Sequence, residues 1–359
     1  MSNKKILCII ESLGSGGAER QLTGLAVMLK EQGYEVEVVY YCKKEFYLPF
    51  LEENGVKGVF LSTAVSKFRR LFAIQKYIKD YNSDTIISYS PTSCMILCIL
   101  KVLGGKFKLI VSERNTTQKN TMREKIRFFL YKWADVIVPN SNAQGRFIKE
   151  NYPNLEKKIQ VITNFVDTDK FSPSNEEIPT HDTTNIICVG RLMPQKNIIR
   201  FIESISRVVN DGYKIHIDWF GQNLGDNYSE EVKQKIEENN LCSIFEFHPA
   251  SSCIEKEYQK GDVFCLPSIY EGFPNVLCEA MSCGKPVLCS RVCDNPTIVS
   301  EEKNGLMFNP LDADNMVEVI EKYINLSSEK KQDMAITSRK IAVDMFSKKS
   351  FINKYISII

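Results

Sequence analysis

The chain lacks any apolar run long enough to cross a bilayer. Its longest, around residues 95–100, falls well short of the roughly 20 residues a spanning helix needs. A shorter apolar run at 6–10 meets Glu11 and reads as a strand, not as the core of a signal peptide. Charge of one sign is lacking too: 46 Lys and Arg against 44 Asp and Glu leave a net +2, which gives no global field of the kind nucleic-acid binders show. Any grip on a polyanion must therefore be local. Histidine is scarce, with three in 359 residues, and none clusters with cysteine. The twelve cysteines include no C-x-x-C pair, so neither a Cys/His zinc site nor a disulfide framework is indicated. They read as small buried hydrophobes in a reducing cytosol. The expected location is cytoplasmic, at most attached to a membrane surface.

What is present is alternation. At 359 residues and 41.1 kDa the chain has room for two domains, and its 43% hydrophobic and 25% charged residues are ordinary for a globular protein. Strand-like runs at 6–10, 35–41, 85–89, 108–111 and 136–138 alternate with helical patterns at 68–77, 91–103 and 121–133. Such alternation argues for an α/β chain with parallel sheets and helices on both faces. From 172 to 184 the composition shifts to Ser, Pro, Asn, Glu and Thr, and the pattern then restarts with strands at 186–189, 214–220, 244–247, 263–268 and 285–290. The boundaries so read are 1–170, a linker at 171–184, 185–335, and a lysine-rich helical tail at 336–359 that packs back on the first domain. Two helices, 67–76 and 123–133, mix Arg and Lys with Phe, Tyr and Trp. Each either lies on an anionic membrane or buries its apolar face in its own domain.

Chemistry concentrates in loops at the carboxyl ends of strands, where open α/β sheets place ligands. The turn Leu13-Gly14-Ser15-Gly16-Gly17 carries Glu19 where a dinucleotide fingerprint needs its third glycine, so a redox cofactor is not the reading. Ser112-Glu113-Arg114-Asn115 follows another strand as a ligand site or an exposed turn. Arg191 and Lys196 share a loop after Gly190, so both cations can converge on one anion. Phe247-His248-Pro249-Ala250 reads as a loop able to hold a base. The run from Glu271 through Gly272, Phe273, Pro274, Asn275 and Val276 to Glu279 places two carboxylates around a helix start that attracts an anion. The two acids are either dipole-favoured helix-start residues or acceptors for vicinal hydroxyls.

Three motifs in order, Gly16-Gly17-Ala18-Glu19-Arg20, Val189-Gly190-Arg191-Leu192 with Lys196, and Glu271-Gly272-Phe273-Pro274 leading to Glu279, resemble glycosyltransferase family 4 over nearly the whole chain. The resemblance implies a GT-B fold, two Rossmann-like domains with parallel sheets facing across a cleft. The donor would be a nucleotide sugar, UDP-linked, and transfer of a hexose or N-acetylhexosamine would retain anomeric configuration. The acceptor would be a glycan, polysaccharide or polyprenyl-diphosphate-linked saccharide in surface-glycan or capsule assembly, with no nucleic acid as partner. Arg191, Lys196 and Glu271 would be the catalytic residues, the two cations neutralising the leaving diphosphate. Glu279 would bind ribose, and Phe273, Asn275, Val276, Pro249, Gly16 and Gly17 would complete the donor contacts. Arg114, Asn115 and Glu19 are expected near the acceptor. No metal and no cofactor is expected, because cations and helix ends take the metal's place. The chain departs from many relatives in having no histidine before His181, with Ser88-Tyr89-Ser90-Pro91-Thr92 after the fourth strand. An epimerase, a transferase with a soluble acceptor, and a sugar-nucleotide-binding subunit without catalysis are the readings that compete.

Overall fold

The computed structural model describes residues 4–62, 66–114, 116–117, 120–174 and 182–359. They form two compact units, Met1–Phe165 with Lys348–Ile359, and Val166–Ser347. The first holds β1 (Lys5–Ile9), β2 (Glu35–Tyr40), β3 (Lys57–Phe60), β4 (Thr85–Ser88), β5 (Lys108–Glu113) and β6 (Val136–Pro139). The second holds β7 (Thr184–Val189), β8 (Ile215–Phe220), β9 (Phe245–His248), β10 (Val263–Leu266), β11 (Val287–Ser290) and β12 (Gly305–Phe308). Their sheets run in the orders β3-β2-β1-β4-β5-β6 and β12-β11-β10-β7-β8-β9, all parallel. Counted from its own first strand, each unit has the doubly wound order 3-2-1-4-5-6, so the α/β class and the Rossmann-like pattern are both present.

Strand alternation feeds two cores per sheet, which is why central strands such as β1 and β10 are nearly continuous apolar runs, whereas β2 and β8 carry polar residues on one face. In β1, Ile6 and Cys8 pack with Leu22 and Leu25 on one face, while Leu7 and Ile9 pack with Leu97 and Phe128 on the other. In β7, Ile186 and Cys188 join Phe201 and Trp219, whereas Ile187 joins Leu277, Met281 and Phe346. Helix starts are sealed by short polar side chains: Ser141, Asp226, Asp312 and Ser327 accept from the amides of Gln144, Ser229, Asn315 and Lys330 at 3.0–3.2 Å. All twelve cysteines are free and eight are buried; burial pushes the thiols of Cys8, Cys94 and Cys283 up to about 12, so they act as packing groups.

The boundaries differ from the sequence reading. The units change at Phe165, not at 171–184, because Val166–Phe171 is held by the second unit. The Arg339 guanidinium lies 2.8–2.9 Å from the carbonyls of Thr168, Phe171 and Ser282 and from Ser282 Oγ, and Val166 N donates to Phe346 O at 2.7 Å. The tail is two helices instead of one. Ser328–Phe346 belongs to the second unit and packs on the helix Asn275–Ser282, the chain turns at extended Ser347, and Lys348–Ile356 belongs to the first. There Tyr355 Oη meets Tyr89 Oη at 2.6 Å and Phe351 packs on Phe165 with ring centroids 5.1 Å apart. The edge strands β3 and β12 were not read from sequence: each has four residues, and glycine replaces an apolar residue at Gly58 and Gly305.

Arg339→Ala takes the guanidinium from all three carbonyls, of which Phe171 O keeps the Ser282 hydroxyl, and is expected to cost the second unit about 2–3 kcal/mol. Calorimetry would show a lower melting temperature that Arg339→Lys, lacking the planar fork, does not fully restore.

Candidate active site

In a parallel sheet every carboxyl end emerges at one edge, and the crevice opens where strand order reverses. In the second unit that point lies between β7 and β10, and the loops following these two strands are laced together there. Ile269 N donates to Gln195 O at 2.8 Å, and Gln195 Nε2 donates to Tyr270 O at 2.7 Å. Lys196 Nζ then meets Glu271 Oε1 at 2.6 Å, with the two side chains only 13% and 10% exposed. Residues 194–196 form a single tight turn, and the helix Ile198–Asn210 begins only after Asn197, which is left-handed at φ 58°. Asn197 Nδ2 in turn donates to Pro267 O and Pro310 O at 3.1 and 2.8 Å, fastening a third loop.

The other residues of this unit expected at the donor lie in the loops after these and neighbouring strands or on the helix that follows β10. Arg191 is exposed and has no ion-pair or hydrogen-bond partner among the described residues, so its charge is available. Glu271 N donates to Cys293 Sγ at 3.3 Å, which sets the backbone ahead of Gly272. Phe273 is buried and packs edge-on against Phe346 at 5.7 Å, so its side chain belongs to the core and only its backbone can serve a ligand. Pro274 caps the helix Asn275–Ser282. Asn275, expected among the donor contacts, does not offer its amide: it donates to Phe273 O at 2.9 Å. Of amides 275–278, that of Val276 alone has no acceptor among the described residues, since Leu277 and Cys278 donate to Pro274 O. Glu279 is buried, with Tyr258 Oη 3.4 Å from its Oε2. Pro249 is exposed at the carboxyl end of the edge strand β9, so it shares the edge with Gly190 and Glu271. The expected loop 247–250 shortens, because Phe247 and His248 complete β9 and His248 stacks on Phe220 at 4.5 Å.

Sequence reasoning missed Gly221 and Ser268. A Cβ at Gly221 would stand 1.9 Å from Gly190 O, so glycine there lets β7 and β8 end side by side. Ser268 is fully buried after β10, and its hydroxyl has no partner among the described residues. A glycine after a buried aromatic strand, Trp219-Phe220-Gly221, was the available signal for the first; the second carried none.

The first unit has a matching point between β1 and β4. Ser12, Glu19, Tyr89, Ser90, Glu113 and Arg114 are among the residues lining a cavity of about 210 Å³ there. Arg114 stacks on Tyr89 at 4.3 Å, donates to Ser112 Oγ at 3.2 Å and bonds Asn164 Oδ1. Glu19 folds back over Gly16, where a Cβ would stand 2.2 Å from its Oε2; Gly16 caps the helix that Gly17 begins. Asn115 lies outside the described residues. Glu113 is fully buried against Arg127 at 3.3 Å and Tyr131 Oη at 2.5 Å, and burial raises its carboxyl pKa against the pull of both. Tyr89, Asn164 and Arg127 were not singled out, because stacking and pairing across strands leave no mark on a one-dimensional pattern.

Two doubly wound units in one chain, with cations and carboxylates gathered at a switch point, define a glycosyltransferase of the GT-B class. The chain belongs to glycosyltransferase family 4: residues 15–170 match the model Glycosyltransferase Family 4 and residues 171–341 match Glycosyl transferases group 1. It is 29% identical over 292 residues to a Campylobacter jejuni alpha-1,4-N-acetyl-D-galactosaminyltransferase named for an undecaprenyl-diphosphate-linked acceptor, covering 77% of this chain and 76% of that one. It is 23% identical to an Escherichia coli UDP-Gal:alpha-D-GlcNAc-diphosphoundecaprenol alpha-1,3-galactosyltransferase, covering 84% of each. Among solved structures, Anabaena HepE in complex with UDP superposes with a TM-score of 0.87 at 18% identity over 99% of both chains. A Rickettsia africae glycosyltransferase gives 0.87 at 20% identity, covering 100% of this chain and 98% of that one.

A methyl group at Gly190 meets the side chain of Lys196, at 2.9 Å from Cε, which can give way by a few tenths of an ångström against its pair with Glu271, whereas one at Gly221 meets backbone, which cannot. Gly221→Ala is therefore expected to cost about 3 kcal/mol in denaturant unfolding, and Gly190→Ala about 1 kcal/mol. Equal costs would show that the two strand ends are not so tightly apposed.

Proposed function

We propose that this glycosyltransferase moves a hexosyl or N-acetylhexosaminyl group from a UDP-sugar, with retention, to a saccharide carried on polyprenyl diphosphate. The observation that carries the reading is the Lys196–Glu271 pair at the switch point, with the unpaired charge of Arg191 and the open Val276 amide beside it in the same set of loops. Glu271 holds Lys196 before donor arrives, so the ammonium needs little reorganisation when charge develops on the leaving diphosphate. Arg191 adds a planar fork to that diphosphate, and the Val276 N–H with the helix behind it adds a dipole. Glu279, buried within the helix, accepts from the ribose hydroxyls. In this reading the bond from the anomeric carbon to the diphosphate breaks, the acceptor oxygen attacks from the same face, and the departing diphosphate oxygen takes the acceptor's proton. The cationic side chains do the work that a divalent ion does in other transferases, so neither metal nor cofactor is part of the proposal.

The relatives' names support the donor and acceptor classes, since they specify UDP-galactose in one case and undecaprenyl-diphosphate-linked saccharides in both. In the first unit, Arg114 braced on Tyr89 is the cation placed for an acceptor phosphate or hydroxyl, with Glu19 across the same cavity.

A lipid-borne acceptor calls for contact with a membrane surface, on the inner face of the cell membrane. No helix among the described residues is long and apolar enough to cross a membrane. The helix Met122–Leu130 instead leaves Met122, Ile126 and Phe129 exposed at 71%, 51% and 58%, and Lys132 Nζ sits over the rings of Phe129 and Trp133 at 3.8 and 4.1 Å. Apolar side chains flanked by lysine suit the headgroup region of an anionic bilayer. Arg127 and Phe128 turn inward, so only part of the basic and apolar character read from this helix is at the surface.

Arg191→Ala is expected to lower kcat about 10²–10³-fold while leaving the fold intact, and Lys196→Ala to lower it as much with a further loss of about 3–5 kcal/mol of stability, because it removes the buried ion-pair partner of Glu271; steady-state transfer of radiolabelled sugar and denaturant unfolding read the two effects. Near-normal rates in both would remove the proposed electrostatics. Separately, Ile126→Asp with Phe129→Asp is expected to abolish co-sedimentation with vesicles containing anionic lipid; undiminished sedimentation would place the membrane contact elsewhere.

A further inference from the structure

The second unit also carries a set of ligating side chains that sugar transfer does not use. They lie on β8 and the edge strand β9. In β8, Ile215, Ile217 and Trp219 fill the core, so alternation sends His216 and Asp218 to the opposite face, where both are half-buried. The register sets Glu246 of β9 beside Asp218. His216 Nε2 lies 3.6 Å from Asp218 Oδ1 and 3.8 Å from Glu246 Oε1, and ligating atoms of the three residues all fall within 4.8 Å of one another. His248 Nε2 is 2.6 Å from the same Asp218 oxygen, with its ring held flat on Phe220.

Two carboxylates side by side on neighbouring strands repel. Their ion-pair partners among the described residues are the two imidazoles, which carry charge only when protonated. A divalent cation cancels that repulsion at any pH where the imidazole is free to ligate. The spacing is near that of one: ligands at about 2.0–2.1 Å from a tetrahedral zinc ion stand about 3.4 Å apart, so the 3.6 and 3.8 Å from His216 need shifts of a few tenths of an ångström, while the two carboxylates, within 4.8 Å of each other, turn on their side-chain bonds to close on the ion. His248 is too close to the Asp218 oxygen to share a metal with it. It stands instead at hydrogen-bond distance, where an outer-shell group orients a ligating carboxylate.

We propose that His216, Asp218 and Glu246 bind a divalent transition-metal ion of the zinc class, with His248 orienting Asp218 and the remaining position open to water. The ion clips the edge strand, which has a neighbour on one side only, to β8. It thereby fixes the chain leading to Pro249, since Gly221 N also donates to His248 O at 3.0 Å. This site is structural and does not depend on the transfer chemistry.

The test uses the full chain, stripped with EDTA and titrated with zinc chloride by calorimetry and with cobalt(II) by absorption. The expected result is one saturable ion per chain, a raised melting temperature with zinc, and cobalt d–d bands without a thiolate charge-transfer band. His216→Ala and Glu246→Gln should each weaken binding at least tenfold, and His248→Ala about 10–100-fold with stoichiometry unchanged. Cys242→Ser with Cys253→Ser, which removes the two exposed thiols, should change nothing. The proposal is overturned by absence of saturable binding, by undiminished binding in His216→Ala and Glu246→Gln, or by a thiolate band that disappears with the two cysteines.

Discussion

The ion pair between Lys196 and Glu271 is the contact on which the arrangement of the second unit's ligand edge depends. Both groups are about nine-tenths buried, so each would be costly without the other, and truncating one partner of such a pair costs about 3–5 kcal/mol. Their meeting is possible only because β7 and β10 are neighbours at the reversal of strand order, which brings two loops 75 residues apart in sequence to one place. The Gln195 bonds and the Asn197 bridge make that meeting rigid. A charge held ready by protein in this way stabilises a leaving anion better than one that must first shed water.

The first unit repeats the topology with a different chemical emphasis. Its switch point has no buried Lys–Glu pair between the two loops among the described residues; it has an arginine laid on a tyrosine and a glutamate folded over a glycine. Tyr89 is itself held by Tyr355 from the C-terminal helix Lys348–Ile356, so the last residues of the chain brace the aromatic ring on which Arg114 rests. The same scaffold thus presents a held lysine at the switch point of one unit and a mixed cavity of about 210 Å³ at that of the other, so one topology carries two different sets of side chains.

Much of this was legible in one dimension. Buried parallel strands must be apolar on both faces, so runs such as 6–10 and 186–189 announced themselves, and glycines and cations after strands pointed to the ligand edge. What stayed hidden has a common cause: it depends on neighbours that sequence does not order. The short edge strands β3 and β12 lack a repeating pattern, the tail breaks at Ser347 only because its two halves find different partners, and the Asn275 amide is consumed by a tight local turn. Arg127, one of several bases in a helix whose pattern does not rank them, is the buried partner of Glu113.

Residue order alone therefore determined the class of fold, the two-unit organisation and the identity of the groups at the second unit's ligand edge, because these follow from local periodicity and from motifs within single loops. Tertiary structure decided which of those groups touch. Lys196 with Glu271, Arg114 with Tyr89 and Asn164, and His216 with Asp218 and Glu246 each join segments set apart by strand order and register, and Coulomb forces and hydrogen bonds act only across the few ångströms that folding closes.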